Sequence, residues 1–307
     1  MKRTNLRRAG LSIVAAALLT GVTACGGSGG SGDSDGSGGS GGSGKGGDGS
    51  PRRSPVAALL TAEKSTDGAD SAKVESTTTM GSVMSMTADG ALGWGDGLTG
   101  TLTITYTGGT MADTMRQMGT TSMEARYLPD AYYARMGDTF AEQAGGRHWI
   151  RYAYDDLESL GGSSGAYLKD QMQNTTPNQS VKLLLASGDV REVGEEKVRG
   201  QRTTHYSGTV EVADLAEKNS NLSQSQLDDL RKTLEQAGVT TETVDIWVDD
   251  RDLLVKKVEK GETTAGAYAQ TAYYTDYGTE VSAEVPPASD TADFSELVKQ
   301  QGAGSGS

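Results

Sequence analysis

The chain has 307 residues with 28 basic and 41 acidic side chains, 43 glycines, one cysteine and two histidines, for a net charge of −13. One cysteine excludes a disulfide framework and cysteine-rich zinc or iron–sulfur sites, and His148 and His205 are too few for a His-rich centre, so no metal and no cofactor is expected. The acidic balance argues against nucleic acid, because phosphate binding needs clustered Lys and Arg.

Lys2, Arg3, Arg7 and Arg8 precede an apolar run from Ala9 to Leu19. The 16 residues from Ala9 to Ala24 fall short of the roughly 20 that a spanning helix needs. Residues 1–24 therefore read as a secretory signal peptide. The run ends in Val22-Thr23-Ala24-Cys25 followed by Gly26-Gly27. This resembles the lipobox of bacterial lipoproteins, and the resemblance implies that Cys25 takes a diacylglycerol and becomes the acylated N-terminus. One acyl chain binds a membrane marginally, so two or more on Cys25 would make the anchor.

Residues 26–50 contain 14 Gly, 7 Ser, 3 Asp and 1 Lys, a composition that stays disordered and acts as a flexible linker. A P-loop is excluded there because Lys45 is followed by Gly46 rather than Ser or Thr. Residues 51–307 carry 23 basic and 38 acidic groups, a net of −15. Such a domain is repelled by an anionic membrane surface, which suits a tethered module.

Ser54-Pro55 before Val-Ala-Ala-Leu-Leu predicts a capped helix ending near Asp67-Gly68. The period then becomes two. Met80, Met84, Met86, Ala88 and Leu92 share one parity; Leu98, Leu102, Ile104 and Tyr106 alternate with threonines; Met123, Ala125 and Tyr127 alternate with Glu124 and Arg126. Gly108-Gly109, Pro129-Asp130 and Gly137-Asp138 are turn signals. A second strand group covers 190–197, 202–212, 241–248, 253–260 and 266–277, with Asp249-Asp250-Arg251-Asp252 and Gly261-Glu262 as turns. Helical patterns fall at Pro177–Ala186, near Tyr167–Gln173, and after a capping box at Ser223-Gln224-Ser225-Gln226 up to Gly238. About ten antiparallel strands with three or four helices and no βαβ alternation predict an α+β fold with one large, strongly curved sheet over residues 51–300 and a disordered tail at 301–307.

The layout resembles the half-barrel lipoproteins of the mycobacterial LppX/LprG family and, more distantly, LolA and LolB. The cues are the lipobox with its small-residue spacer and the helix before an antiparallel meander. The run Gly200-Gln201-Arg202-Thr203-Thr204-His205-Tyr206-Ser207-Gly208-Thr209-Val210, the Val244–Val248 and Leu253–Val258 hairpin, and Tyr277-Gly278-Thr279-Glu280-Val281 before Pro286-Pro287 fit as well. The resemblance implies a sheet curled around helices over an apolar cavity for acyl chains, and a lipid or glycolipid carried or presented outside the membrane. It also implies a monomer held on the outer face of the cell membrane. High Gly, Ala, Thr and Arg with few Phe and Ile fit a GC-rich, actinomycete-like source.

The cavity residues expected from strand parity and composition are Met84, Met86, Leu102, Ile104, Tyr106, Met123, Tyr127, Tyr132 and Trp149. Eight of the ten methionines lie between Met80 and Met136. Their adaptable thioethers suit flexible acyl chains, and equally a core short of Phe. Met111, Met115 and Met118 share a helical face that could offer thioethers to Cu(I) or form a flap over the sheet mouth. Tyr127, Tyr132, Tyr133, Tyr152, Tyr154 and Tyr167 suit a pocket rim or ordinary strand packing. Arg147, His148 and Arg151 could meet a lipid phosphate or be neutralised by Asp155, Asp156 or Glu158. His205, in a Thr-rich strand, reads as a hydrogen-bonded or solvated side chain. No Gly-x-Ser-x-Gly, His-Glu-x-x-His or Ser-x-x-Lys set occurs in a catalytic context, so no enzyme is expected. The alternative function is a ligand-free scaffold or regulatory lipoprotein acting through protein contacts at the cell wall.

Overall fold

The computed structural model describes residues 53–157, 169, 172–173, 176–211, 238 and 241–304. The signal segment, Cys25, the linker and the expected helix at 223–237 lie outside the described residues, as does most of the one near 167–173.

Helix α1, Pro55–Asp67, starts where the sequence places it: the Ser54 hydroxyl accepts from the Ala57 amide at 3.3 Å and Pro55 takes the first helical position. It buries Leu59, Ala62 and Thr66. The Thr66 hydroxyl accepts from the Leu254 amide at 3.1 Å, which fixes the helix to a strand 188 residues away.

The strands are β1 Ser71–Met80, β2 Met84–Gly93, β3 Thr99–Gly108, β4 Ser122–Tyr127, β5 Ala131–Arg135, β6 Trp149–Ala153, β7 Arg191–Val198, β8 Gln201–Glu211, β9 Thr241–Asp249, β10 Leu254–Thr263, β11 Gly266–Thr275 and β12 Thr291–Asp293. Between them lie α2 Gly109–Gln117, α3 Asp138–Gln143 and α4 Pro177–Ala186, and α5 Phe294–Gly304 follows β12. All twelve strands join in one open sheet, in the order β12-β6-β5-β4-β3-β2-β1-β11-β10-β9-β8-β7. Every pairing is antiparallel except β12 with β6, which is parallel, so the sheet is mixed. The fold is α+β, a curved half-barrel: one continuous apolar cluster gathers inner-face side chains from both halves of the sheet with α1, α2, α4 and α5.

Four expectations are corrected. The parity run from Met80 to Leu92 is not one strand but the junction of β1 and β2, which pair from Ser71↔Gly93 to Met80↔Met84. Gly81 turns between them at φ +45°, and a Cβ there would lie 1.9 Å from the Ala265 carbonyl oxygen. Gly261 and Glu262 are not a turn but the end of β10, the reversal coming at Thr264-Ala265. The short strands β5, β6 and β12 were not anticipated. Helix α5 runs to Gly304, past the boundary drawn at 300.

Helix α4 lies over β8 and β9 and against α1. Its seat is Gly208, where a Cβ would lie 2.7 Å from Leu184 Cδ1. On the outside, the segment between β11 and β12 crosses from the sheet centre to its edge. It is fastened by Ser71 Oγ donating to the Thr279 carbonyl at 2.6 Å, Arg126 Nη1 donating to the Glu284 carbonyl at 2.8 Å, and the His148–Asp290 contact.

Candidate functional site

Strand register sorts the expected cavity residues. Across β2, β3 and β4, Met86 faces Tyr106, Ala88 faces Ile104, which in turn faces Met123, and Leu102 faces Ala125. Tyr127, Tyr132 and Tyr152 then form a row across β4, β5 and β6. Met84, Leu102, Ile104, Tyr106, Met123, Tyr127 and Tyr132 belong to the inner-face cluster, with Met86 packed against it. Trp149 does not. It pairs with Arg135 in register while its neighbour Ile150 faces inward with Ala134. Trp149 packs instead with Ala131 and Tyr133 on the outer face, under the Arg126 guanidinium 4.6 Å from its ring.

All nine methionines after Met1 lie in or against the inner-face cluster. Most gather at one end of the half-barrel, where β1 ends, β2 and β4 begin and α2 crosses. There α2 buries Met115, and Met111 and the capping Met118 pack against the same cluster. Among the described residues no group of three or more His, Cys, Asp or Glu could hold a metal ion.

Ring centroids in the tyrosine row lie 5.1 Å apart for Tyr127–Tyr132 and 5.7 Å for Tyr132–Tyr152, and Phe294 of α5 closes on Tyr152 at 4.7 Å. Tyr106 and Tyr154 are buried in the same cluster, and both act electrostatically on the Tyr132 phenol, as do Tyr127 and Tyr152. Burial raises all five phenols, Tyr127 to about 12, so each remains an O–H donor at neutral pH. The Tyr154 hydroxyl is buried without a hydrogen-bond partner among the described residues.

The other half of the inner face carries charge. Lys257 Nζ lies 3.1 Å from both carboxylate oxygens of Glu259 and 2.9 Å from Ser180 Oγ of α4, which itself donates to Glu259 at 2.5 Å. Burial, reinforced by Glu259 and opposed by Lys257, pushes the nearby Glu242 carboxyl up to about 8. Beside them Gln270 donates to Thr78 Oγ1 at 3.2 Å. The inner face thus joins an apolar, phenol-bearing wall on β2–β6 to a polar pole on β1 and β9–β11. Sequence reasoning missed this pole because β10 bulges between Leu254 and Lys256. Simple alternation from Leu254 turns Lys256 inward, whereas the extra residue turns Lys257 and Glu259 inward and leaves Lys256 over the Trp247 ring outside.

Of the three basic residues expected at an entrance, His148 and Arg151 meet carboxylates and Arg147 meets a backbone carbonyl. His148 Nδ1 lies 2.7 Å from Asp290, Arg151 pairs with Asp293 at 3.2 Å and Asp130 at 3.4 Å, and Arg147 donates to the Ala144 carbonyl. His205 stacks on Trp247 with centroids 4.2 Å apart and hydrogen-bonds Asp245 at 2.8 Å.

No family model matches the chain. It is 61% identical over 253 residues to an uncharacterised 31.2 kDa protein of Streptomyces griseus, encoded between rplA and rplJ, with 82% of this chain and 83% of that one covered. It is 56% identical over 310 residues to a Streptomyces coelicolor protein, the candidate lipoprotein SCO4650, with 98% of this chain and 100% of that one covered. Among solved structures, the Mycobacterium tuberculosis lipoprotein LppX aligns with a TM-score of 0.45 at 15% identity, over 75% of this chain and 98% of that one.

Proposed function

Because the chain belongs to one family with the Streptomyces coelicolor candidate lipoprotein SCO4650, we propose that it is an extracytoplasmic lipoprotein that binds the hydrophobic part of a lipid or glycolipid within its half-barrel. It is acylated at Cys25 and held on the outer face of the cell membrane by that anchor. The ligand lies against Met84, Met86, Leu102, Ile104, Tyr106, Met123, Tyr127 and Tyr132, and is carried or presented rather than chemically changed. The linker of residues 26–50 gives a root-mean-square reach of about 25–30 Å, enough to lift the domain off the headgroups.

The observation that carries this reading is the gathering of all nine methionines after Met1 in or against one inner-face cluster. Unbranched thioether side chains repack around guests of irregular shape. Each methylene a guest buries there contributes about 0.8 kcal/mol. A single function therefore draws on residues spread from Met80 to Met172.

The test is native mass spectrometry of the full-length protein purified from an actinobacterial host. A mass adduct that leaves on denaturation and is identified as a defined lipid supports the reading. A clean apo mass from that lipid-rich background overturns it in favour of a scaffold acting through protein contacts. Cys25→Ala is expected to move the protein from membrane to medium, and membrane retention of that variant would remove the anchor.

A further inference from the structure

We propose that Tyr106, Tyr127, Tyr132, Tyr152 and Tyr154 form a carbonyl-reading subsite that selects acyl esters over hydrocarbon or ether lipids of the same chain length. The inference rests on the amphiphile-binding reading above and adds to it a rule of selection. Five phenols come from four strands and the segment after β6: the rings of Tyr127, Tyr132 and Tyr152 stand in a row with centroids 5.1 and 5.7 Å apart, and Tyr106 and Tyr154 are buried in the same inner-face cluster. The Tyr154 hydroxyl is sealed without a partner among the described residues. The hydroxyls of Tyr106, Tyr127, Tyr132 and Tyr152 make no hydrogen bond to a described residue.

A wall meant only for hydrocarbon has no use for these oxygens. Phenylalanine would supply the same ring without a polar group to satisfy, since a buried donor left unpaired is unfavourable. The chain nevertheless uses 12 tyrosines and only 2 phenylalanines. The partner that fits is an acceptor. It is an uncharged one, because the neighbouring cations are committed elsewhere: Arg126 lies over Trp149 on the outer face, and Arg151 is paired with Asp293 and Asp130. A phosphate would enter this wall without a counter-charge from either guanidinium. An ester carbonyl is acceptor-only and carries hydrocarbon beside it, which matches Leu102, Ile104 and Met123 in the adjoining rows.

The experiment titrates full-length protein in detergent with 1,2-dioleoylglycerol and with its dioleyl diether analogue, which keeps the chains and lacks the carbonyls. Binding is read by competition in native mass spectrometry. The expected result is a preference of about tenfold for the diester, the effect of one or two hydrogen bonds. The Tyr132→Phe/Tyr154→Phe double variant, which keeps both rings, should bring that preference to within about twofold. Tyr133→Phe, on the outer face beside Arg151, should leave it unchanged. Equal, tight binding of both lipids would overturn the carbonyl subsite while leaving the amphiphile-binding reading intact. Binding of neither would overturn both. A double variant that melts higher yet keeps the ester preference would assign the hydroxyls to trapped water and also overturn the subsite.

Discussion

His148 and Asp290 lie 142 residues apart in the chain, yet their side chains meet at 2.7 Å, and the His148 amide donates to the same carboxylate oxygen at 2.8 Å. The pair is the outermost fastening of the segment that leads from β11 across the outer face to β12. Asp290 is held below its ordinary value of 3.8 by the His148 side-chain bond first and the amide bond second. A carboxylate held low contributes stability above its unfolded pKa and loses it as pH falls through the folded one.

His148→Ala should therefore leave global stability within about 1 kcal/mol, since the contact is solvent-screened. Amide hydrogen exchange over residues 288–293 should rise severalfold at pH 7. That difference should shrink as pH falls from 3.8 through the lower folded value of Asp290, where the wild-type contact is itself lost. Unchanged exchange at pH 7 would mean that β12 pairing with β6 holds the segment alone.

The seat of α4 predicts two destabilised variants. Leu184 is fully buried, so Leu184→Ala should cost about 2–5 kcal/mol in chemical denaturation. Gly208→Ala should cost about 1–3 kcal/mol by overpacking, because its new Cβ would meet Leu184, Asp189 and Ser187 atoms within 3 Å. The combined variant should cost less than the sum, since truncating Leu184 vacates one of the clashing positions.

Glu242 sets a pH dependence of opposite sign to Asp290. Its folded pKa of about 8 stands above its ordinary 4.5, mainly through burial. Between those values the native state keeps a proton that the unfolded chain releases, so stability falls as pH rises across the window. Glu242→Gln should melt several degrees higher than wild type at pH 9 and match it near pH 4. The same gap at both values would separate Glu242 from any titration.

Met84→Trp and Leu102→Trp place a large ring on the inner face, where both side chains are now buried. Each should abolish lipid adducts in native mass spectrometry at a stability cost of about 1–3 kcal/mol. Adducts that persist in both folded variants would move the ligand away from the β2–β4 wall.

The sequence discloses the fold where one strand face is apolar and the other polar. In β3, Leu102, Ile104 and Tyr106 alternate with threonines, and the structure turns the first set inward and the second outward. Legibility fails where that contrast is absent. Strands β5 and β6 have five residues each, and both Tyr132 and Tyr133 are buried, on opposite faces. With no polar side to fix the phase, one residue of register decides the face, and Trp149 lands outside while Ile150 lands inside. The bulge in β10 hides Lys257 and Glu259 in the same way. The methionines were legible as a group because composition needs no phase.

The pairing of β1 with β11 has a consequence for how the chain reaches this state. Lys73 lies opposite Thr275, and the seam runs on to Met80 opposite Tyr268. Strand β1 can pair with β2 at once, but its other edge waits for a partner some two hundred residues downstream. Contacts so distant in sequence make for slow folding, and an uncovered strand edge invites pairing with another chain in the meantime. A chain cut short before β11 would keep that edge permanently open in the middle of its sheet. The vulnerable interval in the life of this protein is thus the time between the appearance of β1 and the arrival of β11.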